Sequence, residues 1–337
     1  MDIELTKRII CPICRNELQW NVTEKSSDKV IEGYAECREC RETYPIKNGI
    51  AVFLPVKWQN MKLWERSERM AMPKRGIGQE CDQLKNENID KPSEVLHMIR
   101  RRNSQGEVRN EDLYHRYMEA VGMPDTLHKL CLLARKCAKE INDTDYVLDF
   151  ASGKCLLADA LNESVNCHIV VSDINPFIVM QAQQEFKKYS NCEKLSFMVF
   201  DIKRSPFRDK SIDTVTTLLG LQNIIPCKGV IEEIDRIAKV FLNISAYLTE
   251  MRPENMAVLN KFHIAEAWIK EQFEAATEQL GWQRKQICTI VELGRGISRE
   301  EMETRFAVMK FPVKDEKMEY ALTKFLVGCK KDKLLQE

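Results

Sequence analysis

The sequence predicts an α/β protein in which a Rossmann-like sheet carries helices on both faces and follows a small zinc ribbon. The first observation is a run of strand, tight turn, helix and strand over residues 145–176, where small residues fill the turn. The second is that two later apolar runs end in acids, Asp173 and Asp201, as at the carboxyl ends of neighbouring parallel strands. The third is a pair of C-x-x-C motifs near the start.

The composition is that of a globular chain without charge bias. Its 337 residues are 44% hydrophobic, which is enough for one large domain or two smaller ones. Lysine plus arginine equals aspartate plus glutamate at 51 each, which argues against a protein dedicated to nucleic acid. No apolar run approaches the roughly 18 residues that cross a bilayer, and the start does not resemble a signal peptide. We therefore expect a cytoplasmic protein with no membrane partner, whose 13 cysteines are metal ligands and buried thiols.

Four cysteines in the N-terminal segment predict a structural zinc site. Cys11 and Cys14 form one C-x-x-C motif, and Cys37 and Cys40 form the second, with 22 residues between the motifs. Each motif places two thiolates on one side of a tight turn, and two such turns complete a tetrahedral sulfur shell. Because four thiolates leave no open coordination position, the Zn²⁺ is expected to be structural. The alternative is four unrelated cysteines.

The segment after the second cysteine motif carries a further signal. Residues 44–54, YPIKNGIAVFL, predict an extended segment, an Asn-Gly turn and a strand. Together with the cysteine motifs, residues 1–55 resemble the small zinc-ribbon proteins that are activator subunits of tRNA and protein methyltransferases. The resemblance implies an interaction module fused in cis to the enzyme. Four aromatic side chains could stack on nucleic-acid bases, but we expect them to pack around the zinc site: Trp20, Tyr34, Tyr44 and Phe53.

Residues 56–112 predict a charged helical linker or lid. Apolar residues recur at helical spacing from Trp58 onward. Residues 94–102 are again helical in pattern and end in three arginines, which either bind an anionic group or form a solvated helix end. Pro124 then divides residues 113–141 into two helices.

The turn after the first strand of the α/β segment has the pattern of a cofactor loop. Asp149, Ala151 and Gly153 resemble the acid-x-Gly-x-Gly-x-Gly motif of class I S-adenosylmethionine-dependent methyltransferases, with Ala151 and Cys155 in place of the first and third glycines. The resemblance covers residues 114–310. It implies S-adenosylmethionine as the cofactor and a seven-stranded methyltransferase sheet whose last strand is antiparallel. The alternative, a dinucleotide-binding domain, lacks its G-x-G-x-x-G motif.

The same resemblance assigns cofactor roles to the ends of later strands. It implies that Asp173 accepts hydrogen bonds from the ribose hydroxyls and that Asp201 contacts the adenine amino group. Residues 201–215, DIKRSPFRDKSIDTV, resemble the segment D-x-x-x-x-P-F-x-D-x-S-F-D-x-V of this family. The residues expected to bind the cofactor are Asp149, Ala151, Ser152, Gly153, Asp173, Ile174, Asp201, Ile202, Leu219 and Gly220.

The remaining segments complete a methyltransferase domain over residues 113–312. The helix at 231–237 resembles the helix before strand five, but the usual Lys-Pro-Gly-Gly turn is absent after it. Three further elements are expected: one long amphipathic helix at 257–280, strands at 282–293 and 304–311, and a C-terminal helical tail at 313–337.

No catalytic residue is assigned from the sequence. Methyl transfer from a sulfonium is an in-line displacement, so the protein has mainly to align donor and acceptor and exclude water. His115 and His263 are candidate bases, although lone histidines are more typical of surface or core positions. Cys227 is a candidate nucleophile, and we favour a packed thiol there.

Three functions follow from these patterns. A methyltransferase acting on a small molecule is favoured by the cofactor pattern and the balanced charge. An RNA or protein methyltransferase that docks its substrate through the ribbon is favoured by the activator resemblance. The third is a non-catalytic binding protein, in which Ala151 and Cys155 mark a decayed cofactor loop.

Overall fold

The computed structural model of the chain describes residues 1–59, 124–142, 146–153, 155–189, 192–224, 227, 229–294, 296 and 312–328. Most of the expected linker, the candidate base His115 and the strand expected at 304–311 lie outside the described residues. Within them, no helix combines the length and the apolar character needed to cross a bilayer.

Eleven strands of the described residues form one mixed sheet. Their order across the sheet is β1-β2-β3-β4-β7-β6-β5-β8-β9-β11-β10, and the six strands from β4 to β9 are mutually parallel. The strands are β1 Leu18–Ser26, β2 Lys29–Cys37, β3 Thr43–Lys47, β4 Ile50–Phe53, β5 Tyr146–Asp149, β6 His168–Asp173, β7 Leu195–Phe200, β8 Ile212–Leu218, β9 Ala238–Leu248, β10 Gln283–Gly294 and β11 Glu316–Leu326.

Helices cover both faces of this sheet, which confirms the predicted α/β architecture. The helices are α1 Pro124–Lys139, α2 Leu156–Ser164, α3 Pro176–Tyr189, α4 Val230–Ile237, α5 Pro253–Phe262, α6 Ala265–Trp268 and α7 Lys270–Gln279. Apolar side chains of α1, α2 and α3 are buried in one hydrophobic cluster, and those of α4 to α7 are buried in a second. The amphipathic helices thus bury their apolar stripes on a sheet that is itself apolar on both sides.

The sheet has eleven strands rather than the seven expected, because the ribbon adds four strands to its edge. The ribbon strand β4 pairs in parallel with β7, so that Ile50 lies opposite Phe197 and Phe53 opposite Phe200. The Asn-Gly turn before β4 is confirmed, since Asn48 and Gly49 have φ values of 52° and 79°. The N-terminal ribbon and the α/β segment that follows it therefore contribute strands to one sheet.

The C-terminal helical tail predicted at 313–337 is wrong for its described part, because Glu316–Leu326 is strand β11. β11 lies between β9 and β10 and pairs antiparallel with both. Its buried apolar residues Met318, Ala321, Leu322 and Phe325 are divided between the two hydrophobic clusters, and their spacing along the chain is that of one helix face. A strand buried on both sides does not show the alternation that identifies a strand from sequence.

The long helix predicted at 257–280 is also wrong, because three helices occupy that range. His263 ends α5 with a left-handed φ of 54°, and the extended Ile269 separates α6 from α7. The Lys-Pro-Gly-Gly turn is absent because no turn separates the two elements: α4 ends at Ile237 and β9 begins at the next residue.

A charge cluster around the buried carboxylate of Glu233 joins the ribbon to α4. The Arg15 guanidinium donates to both carboxylate oxygens of Glu233, at 3.2 and 3.0 Å, and Arg236 donates to the same carboxylate from within α4. The Ser205 backbone N–H and hydroxyl also donate to Glu233 Oε1. Burial on its own raises the pKa of Glu233, but these hydrogen bonds hold it below its ordinary value. Glu233 therefore stays ionised in the folded protein, and its carboxylate links the ribbon to α4.

A backbone contact forms a second attachment. The Ile10 N–H donates to Pro206 O at 2.7 Å, and the Arg208 N–H donates to Arg8 O at 2.9 Å. Ile9 and Phe207 form an antiparallel bridge between these hydrogen bonds, and both side chains are fully buried. The segment that resembles the D-x-x-x-x-P-F motif thus pairs directly with the ribbon.

Replacing Glu233 with Gln is expected to lower the free energy of unfolding by about 1–3 kcal/mol, because a buried carboxylate that accepts hydrogen bonds from two guanidinium groups and from Ser205 is lost. The measurement is denaturant unfolding at neutral pH, with Glu232→Gln on the exposed side of the same helix as the control. Because the pKa of Glu233 is lowered in the folded state, its contribution is lost as pH falls through that pKa. The difference between variant and wild type should therefore shrink in acid, and a difference that does not change with pH would contradict this account.

Candidate functional site

The four predicted zinc ligands lie together at the tip of the ribbon. All four sulfur atoms lie within 4.8 Å of one another, with Cys11 Sγ 3.5 Å from Cys40 Sγ and Cys14 Sγ 3.3 Å from Cys37 Sγ. A tetrahedral Zn²⁺ with bonds of about 2.3 Å separates its sulfur ligands by about 3.8 Å. The cysteine cluster therefore fits a structural zinc ion.

Two matching turns build this cluster. The N–H groups of Arg15 and Arg41 donate to the carbonyls of Cys11 and Cys37 at 2.9 and 2.8 Å, and both arginines have left-handed φ values of 64° and 60°. The Tyr44 hydroxyl lies 3.3 Å from Cys11 Sγ, where it can donate to a metal-bound thiolate. The same backbone geometry thus presents each pair of sulfur atoms.

Three of the four aromatic residues considered for base stacking pack inside the ribbon. The ring of Phe53 lies 6.3 Å from Trp20 and 5.2 Å from Tyr44. Tyr34 is exposed on β2, where its hydroxyl accepts a hydrogen bond from Asn21. The expected packing role is confirmed for Trp20, Tyr44 and Phe53.

The loop between β5 and α2 has an unusual backbone. Ala151, Gly153 and Cys155 have left-handed φ values of 48°, 49° and 60°. The Ser152 N–H donates to Ser172 O at 2.9 Å, which ties the loop to β6. A Cβ atom added to Gly153 would meet nothing closer than Ala151 O at 3.9 Å. The loop therefore leaves open space beside bare backbone, as a cofactor loop requires.

Asp149 lies under this loop and is almost fully buried. The Thr216 hydroxyl donates to its Oδ1 at 3.1 Å, whereas its Oδ2 has no hydrogen-bond partner among the described residues. Burial raises the pKa of Asp149 to about 7, against hydrogen bonds from Ser152 and Thr216 that lower it, and the charge of Asp173 raises it further. A buried acceptor with one unpaired oxygen fits a ligand that brings a hydrogen-bond donor or a positive charge.

Asp173 and Asp201 end β6 and its neighbour β7, at the edge of the sheet that also holds Asp149. The Gly153 N–H donates to Asp173 Oδ2 at 3.3 Å, so this carboxylate faces the loop. Asp201 caps the short 3₁₀ turn Ile202–Arg204 through a 3.0 Å hydrogen bond from the Lys203 N–H. The structure thus brings Asp149 and Asp173 together and sets Asp201 one strand away.

The remaining expected residues flank the loop. Ile174 is partly exposed next to Asp173, whereas Ile202 is buried. Leu219 has a left-handed φ of 57°, and a Cβ on Gly220 would lie 3.0 Å from the Ala151 Cβ. The turn after β8 is therefore packed against the loop after β5. The cofactor roles of these residues stay predictions.

A cavity of about 50 Å³ adjoins Leu219, in the turn that follows β8. Its walls include Gln222 and Asn223 from the turn after β8. The other side is formed mainly by residues that the sequence did not identify, namely Trp268, Met318 and Tyr320. They were missed because Trp268 was placed in one long helix, without the break that turns α6 toward this site, and because Met318 and Tyr320 were assigned to a helical tail.

The candidate catalytic groups lie away from this cavity lining. His263 is exposed at the end of α5. Cys227 is buried, its thiol donates to Glu266 Oε2 at 3.1 Å, and burial raises its pKa to about 12. A thiol with so high a pKa is not an activated nucleophile, which supports the packed-thiol interpretation.

Comparison with protein families assigns both parts of the chain. A family model described as "Trm112p-like protein" matches residues 2–49, and one described as "Methyltransferase domain" matches residues 147–240. The chain joins a Trm112p-like domain to a methyltransferase domain. The cofactor of the methyltransferase domain is S-adenosylmethionine, and the metal of the Trm112p-like domain is zinc.

Two curated relatives match different parts of the chain. A UPF0434 protein of Methylobacillus flagellatus is 37% identical over 54 residues, which is 16% of this chain and 77% of that protein. The ubiquinone/menaquinone biosynthesis C-methyltransferase UbiE of Xylella fastidiosa is 28% identical over 103 residues, which is 30% of this chain and 41% of the enzyme. The chain thus matches about two-fifths of the length of that C-methyltransferase.

Solved structures with partial overlap include YcgJ of Bacillus subtilis, at 16% identity and a TM-score of 0.46, covering 59% of this chain and 98% of that chain. Another is a complex between the Haloferax volcanii Trm112 methyltransferase activator and a methyltransferase, at 18% identity and a TM-score of 0.40, covering 64% and 99%. None of these likenesses assigns a substrate to the methyltransferase domain described above.

Substitution of Cys37 by Ser is expected to remove the bound metal and lower the melting temperature of the whole chain, because zinc binding supplies folding free energy to a ribbon whose β4 belongs to the common sheet. Metal analysis of the wild-type protein should give one zinc per chain, and thermal unfolding should be measured with and without a chelator. Cys131→Ser, at a half-buried cysteine outside the cluster, is the control and should keep its zinc. Full metal content in Cys37→Ser would contradict the assignment.

Asp149→Asn is expected to remove a pH dependence of stability. The folded pKa of Asp149, about 7, exceeds the ordinary carboxyl value, so its stabilising contribution is complete in acid and is lost as pH rises through 7. Wild type should therefore lose about 2–4 kcal/mol between pH 5 and pH 8 relative to Asp149→Asn, measured by denaturant unfolding. Asp209→Asn, at an exposed site, should show the same pH dependence of unfolding free energy as the wild type. A difference in unfolding free energy between Asp149→Asn and wild type that does not change with pH would overturn the prediction.

Proposed function

We propose that the chain is an active S-adenosylmethionine-dependent methyltransferase whose acceptor is a small molecule. The observation that carries the proposal is the cavity of about 50 Å³ beside Leu219, next to the turn that packs on the cofactor loop. A cavity of this size encloses only a few non-hydrogen atoms. A small acceptor, or the end of a slender one, fits such a space better than a folded macromolecular surface does.

The cofactor side of the site is supported by this chain's own residues. Asp173 offers carboxylate oxygens at the edge of β6 for the ribose hydroxyls, and Asp201 offers an acceptor at the edge of β7 for the adenine amino group. The open space at Gly153 leaves room for the amino-acid portion of the cofactor. When bound, S-adenosylmethionine supplies a methyl group already activated on a sulfonium.

The protein's contribution is positioning and exclusion of water. Trp268, Met318 and Tyr320 line the cavity with mainly apolar surface, which keeps the reacting groups dry. The described lining residues include no carboxylate and no histidine. A site of this kind suits an acceptor that is nucleophilic without a strong base.

The second candidate is a methyltransferase that acts on RNA or protein. It is supported by the Trm112p-like domain, because residues 1–55 resemble the zinc-ribbon activator subunits of tRNA and protein methyltransferases. The β1–β2 hairpin forms one edge of the sheet and exposes Val22 and Tyr34, which we take as the docking residues in this candidate. In that case Tyr34→Ala should reduce methylation of a macromolecule without changing the affinity for S-adenosylmethionine.

The test of the proposal is methyl transfer from S-adenosylmethionine labelled on the methyl group, using the full-length zinc-loaded chain. A cell extract is divided by filtration into a low-mass fraction, an RNA fraction and a protein fraction. The proposal expects labelled product in the low-mass fraction. Label confined to RNA or protein would favour the second candidate and reject the first, and label in no fraction would reject both.

Asp173→Asn is expected to weaken S-adenosylmethionine binding about 10- to 100-fold, because a charged acceptor of two hydroxyl donors is replaced by a neutral amide. The measurement is calorimetric titration of the full-length protein. Asp209→Asn serves as the matched control, since that carboxylate is exposed and pairs with Arg236. No heat of binding with the wild-type protein would favour a non-catalytic protein with a decayed loop.

A further inference from the structure

Two charged side chains from different parts of the chain fix the backbone of Ser205, in the loop that follows β7. The Ser205 N–H donates to Glu233 Oε1 at 3.0 Å, and its carbonyl accepts a hydrogen bond from the Arg15 guanidinium at 3.3 Å. Arg15 and Glu233 also bind each other through hydrogen bonds of 3.2 and 3.0 Å. Because Ser205 is fully buried, these side chains satisfy both of its backbone polar groups and set its position.

The first zinc turn of the ribbon holds Arg15 in place. Its N–H donates to Cys11 O at 2.9 Å, and its backbone has a left-handed φ of 64°, one residue after the zinc ligand Cys14. The ribbon also holds the next residue of the loop, because the Ile10 N–H donates to Pro206 O at 2.7 Å. The zinc ribbon therefore fixes two consecutive residues of a loop that belongs to the methyltransferase domain.

The same loop begins with Asp201, which follows β7 directly and precedes the 3₁₀ turn Ile202–Arg204. Asp201 Oδ1 accepts a hydrogen bond from the Lys203 N–H at 3.0 Å, so the direction of its carboxylate depends on where the turn places that N–H. Ser205 is the residue that ends the turn. With β7 at one end and the fixed Ser205 at the other, the turn has little freedom to move, and neither has the carboxylate.

We propose that Arg15 is a positioning residue for the adenine end of the cofactor, because it fixes Ser205 and thereby the turn that orients the Asp201 carboxylate. The inference rests on the proposed function for the contact between Asp201 and the adenine amino group. Arg15 acts through the loop and does not touch the cofactor. A hydrogen bond weakens steeply when its acceptor shifts or tilts, so loss of Arg15 should reduce the recognition of the amino group in particular.

The test compares two ligands that differ only in the group facing Asp201. They are S-adenosylhomocysteine and the analogue with purine in place of adenine, which lacks the amino group. Both are titrated calorimetrically into the full-length zinc-loaded protein. Wild type is expected to bind the adenine compound about 10-fold more tightly, as a hydrogen bond to a charged group provides, and Asp201→Ala should bring the ratio of dissociation constants to about 1.

The decisive variant is Arg15→Met, which keeps an apolar stem and removes the guanidinium. Its ratio is expected to fall at least about 3-fold below that of wild type. Arg208→Met is the matched control: Arg208 also joins this loop to the ribbon, through an exposed ion pair with Glu17, but it lies beyond Ser205 and should keep the wild-type ratio. Where Arg15→Met does not fold, Arg15→Lys decides, because an ammonium does not reproduce the planar fork and should also lower the ratio.

The ratio separates positioning from a loss of stability. Partial unfolding weakens the apparent binding of both ligands by the same factor and leaves their ratio unchanged. A wild-type ratio in the Arg15 variant would therefore overturn the inference even if both affinities fell, and so would an equal fall of the ratio in Arg208→Met. Equal affinities in wild type would remove the role of Asp201 and the inference with it. Binding of neither compound to wild type would reject the proposed function itself, so the two failures are distinguishable.

Discussion

The parallel pairing of β4 with β7 is the constraint on which the rest of the architecture depends. β7 would otherwise be the edge of the catalytic sheet, and the unpaired backbone groups of a strand that is now buried at every residue would be exposed. The ribbon supplies the missing neighbour, and its own β3–β4 hairpin gains a partner that a small domain could not provide alone. Zinc fixes the ribbon, and the ribbon completes the sheet.

This pairing makes the boundary between the two domains a shared core rather than a hinge. Leu54 from the ribbon is buried in the same hydrophobic cluster as Phe197 and Val199 of β7. A polar contact also joins the ribbon to β6 and β7: the Asp2 N–H donates to Ser196 Oγ, and His168 Nε2 lies 2.9 Å from the same oxygen. Burial lowers the pKa of His168 to about 4, so the imidazole in this contact is neutral near pH 7. Removing residues 1–55 would therefore expose a core and a strand edge, and would not isolate a docking function.

The sequence predicted those parts of the fold in which neighbouring residues carry the signal. The cofactor loop, the ends of β5, β6 and β7, and the two cysteine turns are each short segments whose pattern is local. β11 was not recognised because it is buried on both faces, and the break at His263 was not recognised because a left-handed residue at a helix end leaves no apolar signal. The eleven-stranded sheet required a pairing between β4 and β7 that lie about 145 residues apart in sequence, and no local pattern encodes such a pairing.

The cofactor half and the acceptor half of the candidate site also differ in how far apart their residues lie in the sequence. The cofactor side is one βαβ unit, so its acids and its glycine are found within a short stretch of chain. The acceptor side combines the turn after β8 with α6 and β11, whose residues meet only when the whole sheet is assembled. A family match over residues 147–240 ends before α6 and β11 begin, so likeness in that range concerns the donor half of the site and carries no information about most of the acceptor half. Gln222 is the residue that links the halves, because it follows β8 within the matched range and its amide is held by Ala246 and Ala267 from the assembled side.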